Sequence, residues 1–219
     1  KTIKKKWLKM QSKKIKDFFF EELSNYVDDR QTTGDKLIKF CEHIKKSNKL
    51  YNLTSIIELD DMLIKHVLDS LSINEYIFGN NILDIGSGAG FPGIPLALVS
   101  PKKNFLLIDA NNKKIIFLNH VKINLDLENV DLLHKRIEDL NNVKFFDTIL
   151  CRSYASLKTI YSNSINHLSE NGVIIAMKGK YPHDELSALE NLSKSIRFTV
   201  KRINVPKLSA ERHVVIIYK

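Results

Sequence analysis

Cysteine is nearly absent from this 219-residue chain: Cys41 and Cys151 are the only two, far apart in sequence. Neither belongs to a Cys-x-x-Cys pair or has a histidine cluster beside it, which excludes a disulfide framework and zinc-site spacing, so no metal is expected. Cys41 falls on the i, i+3, i+4, i+7 stripe of Leu37, Phe40 and Ile44 and reads as core. Long apolar runs are missing too. Nothing approaches the roughly eighteen residues of a membrane span, and no apolar segment follows the basic start, so neither membrane insertion nor secretion is expected. A cytoplasmic monomer is the expectation. Acidic residues are absent from the first sixteen positions, where Lys1, Lys4, Lys5, Lys6, Lys9, Lys13, Lys14 and Lys16 stand. With those eight lysines set aside from the 34 basic residues, 26 remain against 25 acidic ones, so the formal charge of +9 is concentrated in one arm. Carrying Trp7, the arm suits a phosphate backbone and a stacked base, and suits equally a solvated terminus.

Glycine and proline are sparse, eight and five, so their gathering between Gly86 and Pro95 is informative. In Asn81 to Ala97, NILDIGSGAGFPGIPLA, an apolar run ends in Asp84, Gly86, Gly88 and Gly90 alternate, and a helix-like segment follows. The pattern predicts a strand, a tight turn and a helix start. Glycine is needed where a turn requires positive φ and where a ligand touches backbone with no Cβ in the way. A dinucleotide site wants G-x-G-x-x-G and free N–H groups for a pyrophosphate. Here the third glycine's place is Phe91, and Pro92 and Pro95 remove two donors. No Lys follows Gly93 to complete a triphosphate loop. An adenosine cofactor without phosphates remains, of which S-adenosyl-L-methionine is the common case. The next strand-like run, Asn104 to Ile108, ends in Asp109, 23 residues after Gly86, the distance at which an acidic side chain reaches a ribose diol. Nicotinamide and methionine cofactors share that ribose, so Asp109 does not choose between them. The plain alternatives are a glycine turn that only packs strand on helix, and an Asp109 that only caps the next helix.

Two helices are expected ahead of this motif, one through Ile15, Phe19, Leu23 and Tyr26 and one over Asp35 to Lys46, separated by Asp28 to Thr33 and Gly34. Asn48 to Ser55 reads as a loop, and Glu58 to Tyr76 as a further helical stretch containing His66 and Asp69. Residues 1–76 thus form a helical extension and cap, and residues 77–219 the core domain. In the core, strand-length apolar runs at Ile82 to Ile85, Phe105 to Ile108, Val130 to Leu133, Phe146 to Leu150, Val173 to Met177, Phe198 to Ile203 and Val214 to Tyr218 alternate with amphipathic segments such as Lys113 to Leu125 and Leu157 to Leu168. Such alternation predicts an α/β fold, a mostly parallel sheet covered on both faces. Ligands of these sheets bind at the carboxyl ends of the strands, where Gly86, Asp109, Glu138 and Arg152 follow successive runs.

With these tips in place the chain resembles the RsmG (GidB) family of bacterial methyltransferases that make 7-methylguanosine in 16S ribosomal RNA. The marks are Asn52-Leu53-Thr54, His66-Val67-Leu68-Asp69-Ser70-Leu71, the stretch from Asp84 to Ala97, Arg136-Ile137-Glu138, Cys151 to Leu157 (CRSYASL) and Lys178-Gly179. The family's usual Arg-Ala pair is Arg152-Ser153 here, and Tyr51 stands where Trp is commoner. The resemblance implies a class I S-adenosylmethionine-dependent methyltransferase fold, Rossmann-like, with a seven-stranded, mostly parallel sheet and one antiparallel strand in its last hairpin. It also implies cofactor contacts at Gly86, Phe91, the Asp109-Ala110-Asn111 turn, Ile137, Glu138 and Arg152. Arg152 would meet the methionine carboxylate or an RNA phosphate. His66, Asp69 and Lys178 are candidates for the surface that meets 16S rRNA or the small ribosomal subunit, although a structural, hydrogen-bonded role for His66 is the commoner one.

Guanine N7 carries a lone pair and no proton. Its methylation needs no general base, only alignment with the sulfonium methyl, and the sequence offers no convincing acid/base pair, so no catalytic residue is assigned. A methyltransferase acting on a small molecule or protein, and a nicotinamide-dependent oxidoreductase, are the competing readings.

Overall fold

Seven short apolar runs rich in Ile, Leu, Val and Phe become strands because both faces of the sheet they form are covered, as a parallel sheet requires. The computed structural model describes residues 2–140 and 145–219, and the side chains of residues 2–9 and 11 lie outside it, so of the lysine-rich arm only Lys13, Lys14 and Lys16 are described to their tips. The strands are β1 (Asn81–Ile85), β2 (Asn104–Asp109), β3 (Val130–His134), β4 (Phe146–Arg152), β5 (Leu168–Lys178), β6 (Arg197–Ile203) and β7 (Arg212–Tyr218). Their order across the sheet is β3-β2-β1-β4-β5-β7-β6, with β7 antiparallel to both neighbours and every other pairing parallel. This is the class I methyltransferase sheet. Chain order reverses at β1, which lies between β2 and β4, so the crevice expected of such folds opens at its carboxyl end.

The period-2 alternation of β1 divides the interior. Ile82 packs with α1 (Thr2–Leu23), α2 (Arg30–Tyr51), α5 (Gly93–Val99) and α6 (Asn112–Leu125), while Leu83 and Ile85 pack with α7 (Leu157–Ser164) and α8 (His183–Leu192). The first of these cores is continuous from Phe19, Phe40 and Val67 to Ile94 and Phe117, so the helices before residue 76 share their interior with the sheet. Among the described residues no helix is long and apolar enough to cross a membrane.

Two local differences from expectation have clear causes. Gly34 does not separate helices but lies inside α2, where a Cβ would stand 2.2 Å from the Phe20 ring; glycine is there for helix packing. The loop after α2 begins only at Asn52, a left-handed C-cap, because Asn48 stays helical and uses its amide to shape the turn beyond the cap. Its Oδ1 accepts from the N–H groups of Leu53 and Thr54 at 2.7 and 3.0 Å, and its Nδ2 donates to Thr54 O. Farther on, α3 (Leu59–Met62), a π-helical turn (Leu63–Leu68) and α4 (Asp69–Leu71) run on as one helical stretch. The wide turn carries His66 and ends against Asp69. π-turns of this kind recur at functional sites.

Candidate active site

The glycine loop is closed from beneath by the strand tip beside it. Asp109, at the end of β2, accepts from Gly88 N–H at 2.9 Å through Oδ2 and from Asn111 N–H at 2.8 Å through Oδ1, with the Lys114 ammonium 3.7 Å away. Gly86, Gly88 and Gly90 all have positive φ, but they serve different ends. A Cβ on Gly90 would strike Ile94, Leu118 and Phe40, and one on Gly86 would meet the Tyr154 ring at 2.6 Å. A Cβ on Gly88 would meet nothing closer than Gly86 O at 3.8 Å, so only this glycine of the three faces open space.

That space is a cleft of about 300 Å³ between the glycine loop and the Leu53 to Ser55 segment, with Phe91, Lys114 and Arg152 in its walls. A second hollow of about 270 Å³ lies beyond, among Lys65, Asp69, Lys178 and Arg212. His66, Arg152 and Ser153 line both. The partition between them is a hydrogen-bonded chain. His66 Nδ1 lies 2.8 Å from Arg152 Nη2 and 3.1 Å from Lys65 O; a guanidinium can only donate, so where the shorter contact is the hydrogen bond His66 carries its proton on Nε2 and gives it to Thr54 Oγ1 at 2.9 Å. Burial, with Arg152 adding to it, pushes the His66 pKa down to about 4, so the ring is neutral at physiological pH. Arg152 Nη1 also pairs with Asp69 Oδ2 at 3.2 Å, and Arg212 Nε with Asp69 Oδ1 at 2.7 Å. Burial raises the Asp69 pKa against the pull of both arginines. Beneath the partition the Phe91 ring lies 4.7 Å from the His66 ring and 5.2 Å from the Arg152 guanidinium.

Gly86, Phe91, Arg152 and His66 therefore converge, with Asp69 one bond behind them. Asp109 reaches the cleft through Gly88. Ala110, Asn111, Ile137 and Glu138 follow along the tips of β2 and β3, outside the cleft wall. Asn111 caps α6, Ile137 is buried, and Glu138 is exposed with Oε1 accepting from Asn163 at 2.6 Å. Lys178 is tied back to Glu185 at 2.7 Å and to Ala155 O, and the same carboxylate accepts from Leu157 N–H at the start of α7. Sequence reasoning missed Lys114, Ser153 and Arg212 as wall residues. Arg212 stands 143 residues from Asp69 and has no local pattern to betray it. Ser153, the departure noted beside Arg152, adopts a left-handed φ of 53° between the two hollows.

The residues present suit an adenosine sulfonium ligand better than a diphosphate. Each Asp109 oxygen has a lone pair left for a ribose hydroxyl, Lys114 and Arg152 supply positive charge for a carboxylate, and the short α5 begins with a proline on either side of Gly93–Ile94.

A family model described as rRNA small subunit methyltransferase G (GidB) matches residues 33–215. The ribosomal RNA small subunit methyltransferase G of Colwellia psychrerythraea is 42% identical over 188 residues, covering 84% of this chain and 88% of that protein. Its counterpart from Legionella pneumophila strain Corby is 38% identical over 204 residues, covering 93% and 95%. A SAM-dependent methyltransferase from Aquifex aeolicus shares the fold, with a TM-score of 0.57 at 16% identity over 72% of this chain and 92% of that one. The chain belongs to the rRNA small subunit methyltransferase G family and is a small-subunit rRNA methyltransferase.

Proposed function

We propose that this protein methylates N7 of a guanine in 16S rRNA, in the cytoplasm, using S-adenosyl-L-methionine. One observation carries the reading: where the two hollows meet, every group able to take up a proton is already committed. The His66 Nδ1 lone pair is held by Arg152, and both Asp69 oxygens are held by arginines. A nucleophile that must lose a proton would find no base there, whereas guanine N7 has none to lose.

Bound in the glycine-loop cleft, S-adenosylmethionine supplies an electrophilic methyl group. Asp109 would accept from the ribose hydroxyls, with Ala110, Asn111, Ile137 and Glu138 bordering the adenine, Gly86 and Phe91 shaping the floor, and Arg152 facing the methionine carboxylate. His66, Asp69 and Lys178, with Arg212 and Lys65, would hold the nucleotide in the second hollow. Their task is orientation: keeping N7 about 3 Å from the methyl carbon and in line with the departing sulfur.

Methyl transfer from labelled cofactor to small ribosomal subunits, followed by nucleoside mass spectrometry, should yield 7-methylguanosine. Any other methylated nucleoside would replace the N7 assignment. In titration calorimetry S-adenosylhomocysteine should bind and NAD should not, and a tight NAD response would restore the oxidoreductase reading.

A further inference from the structure

We infer that α1 is an RNA-docking arm, its lysines taking phosphates of the strand whose base enters the second hollow. The inference rests on the rRNA reading above and adds to it a surface outside the family match, which begins at residue 33.

Charge is the first reason. The cations around the hollow are largely paired: Lys65 with Asp61 at 2.8 Å, Lys178 with Glu185, and Arg152 and Arg212 with the one carboxylate of Asp69, which leaves a single net positive charge there. Residues 17–219 carry 26 basic against 25 acidic side chains. A protein that must capture a polyanion has little long-range attraction to offer from that body, and eight of the nine surplus charges lie in the first sixteen residues. Lys13 and Lys14 are exposed, and like Lys16 they form no ion pair among the described residues.

Position is the second. The far half of α1 is fixed to the body: Phe19 and Leu23 are fully buried, and the Lys207 ammonium, from the β6–β7 connection, sits 4.5 Å over the Phe18 ring. Midway, Ser12 Oγ donates to Asp60 Oδ1 at 3.0 Å. Asp60 belongs to α3, whose helical stretch continues into Lys65, His66 and Asp69. The arm is thus bolted to the element that lines the hollow, and the ten residues from Ser12 back to Thr2 carry the helix about 15 Å farther. In the sequence of that length Trp7 stands among Lys4, Lys5, Lys6 and Lys9, one aromatic ring in a run of cations.

The test is the salt dependence of binding to a small-subunit rRNA transcript, for the native chain and for a variant with Lys4, Lys5, Lys6 and Lys9 each changed to Gln. The slope of log affinity against log salt should fall by about 0.7–0.9 per engaged lysine, about 3 in all, while S-adenosylhomocysteine affinity is unchanged. The pair K13Q and K14Q, at exposed positions, should lower the slope as well. Trp7 is the only tryptophan, and its emission should be quenched by the transcript in the native chain. Equal slopes in both variants would overturn the inference. Equal slopes with loss of binding to phosphatidylserine vesicles would reassign the arm to anionic membranes. Failure of the native chain to methylate subunits would instead sink the proposed reaction, and the slopes report on the arm independently of it.

Discussion

Asp84 shows what a single buried carboxyl costs. It is fully enclosed; Oδ2 accepts from Gly93 N–H at 3.0 Å, and Oδ1 has no partner among the described residues. Burial pushes its pKa up to about 7, with Arg152 pulling the other way. Because the folded protein then holds a proton that the unfolded chain releases near pH 4, this group makes stability fall as pH rises from about 4 to about 7. Asp84→Asn keeps an acceptor for Gly93 and removes the charge, so its stability relative to the native protein should grow across that window and level off above it, by on the order of 1–4 kcal/mol. Urea unfolding at pH 5 and pH 8 reads the difference; a constant gap would mean that Asp84 does not titrate there. The comparison has to be between variants because His66, with its pKa pushed down to about 4, contributes stability that is lost as pH falls from about 6.5 to 4, the opposite slope. Asp109→Ala removes a bridge from Gly88 to Asn111 as well as the proposed ribose acceptor. S-adenosylhomocysteine binding should weaken by about 1–3 kcal/mol, and unchanged calorimetry would remove Asp109 from the site.

The glycine loop illustrates how an element divides labour that its spacing alone does not reveal. Gly90→Ala places a Cβ 2.7 Å from Ile94 at a φ of 98° and should cost roughly 2–4 kcal/mol of stability. Gly88→Ala meets open space at a φ of 59°; it should cost only about 1 kcal/mol but weaken S-adenosylhomocysteine about tenfold. Thermal melts and calorimetry on the two variants separate the roles, and equal losses of affinity would show that Gly88 does not face the cofactor. The strands and their alternation with helices were legible because each is a short apolar run, and Asp109 stood out by distance; the strand order, with its reversal at β1, had no local pattern. Gly34 misled because a glycine between polar residues looks like a break, whereas only the Phe20 ring against it explains its place in α2. Lys178 looked free on a strand end, but its partner Glu185 lies in α8, a helix whose packing no local pattern announces. Arg212 was invisible for the same reason at longer range.

Asp69 binds the molecule together across its greatest separations. From the helical cap it reaches Arg152 on β4 and Arg212 on β7, and its own side chain is 5% exposed. Asp69→Ala would leave two largely buried guanidiniums facing each other and should destabilise the protein by roughly 3–5 kcal/mol, with the partition around His66 disordered. Denaturant titration checks the first and loss of methyl transfer the second; a cost under about 1 kcal/mol would mean that water replaces the carboxylate. The wedge-like place of β7 reaches further still, into biosynthesis. It is the last strand made, yet it lies between β5 and β6 and supplies Arg212. While a nascent chain is still emerging, β6 has nothing to pair with, β5 offers a bare edge, and Asp69 has only one counter-ion. Closure of the sheet and completion of the second hollow's wall therefore coincide, because β7 brings both the missing edge and Arg212.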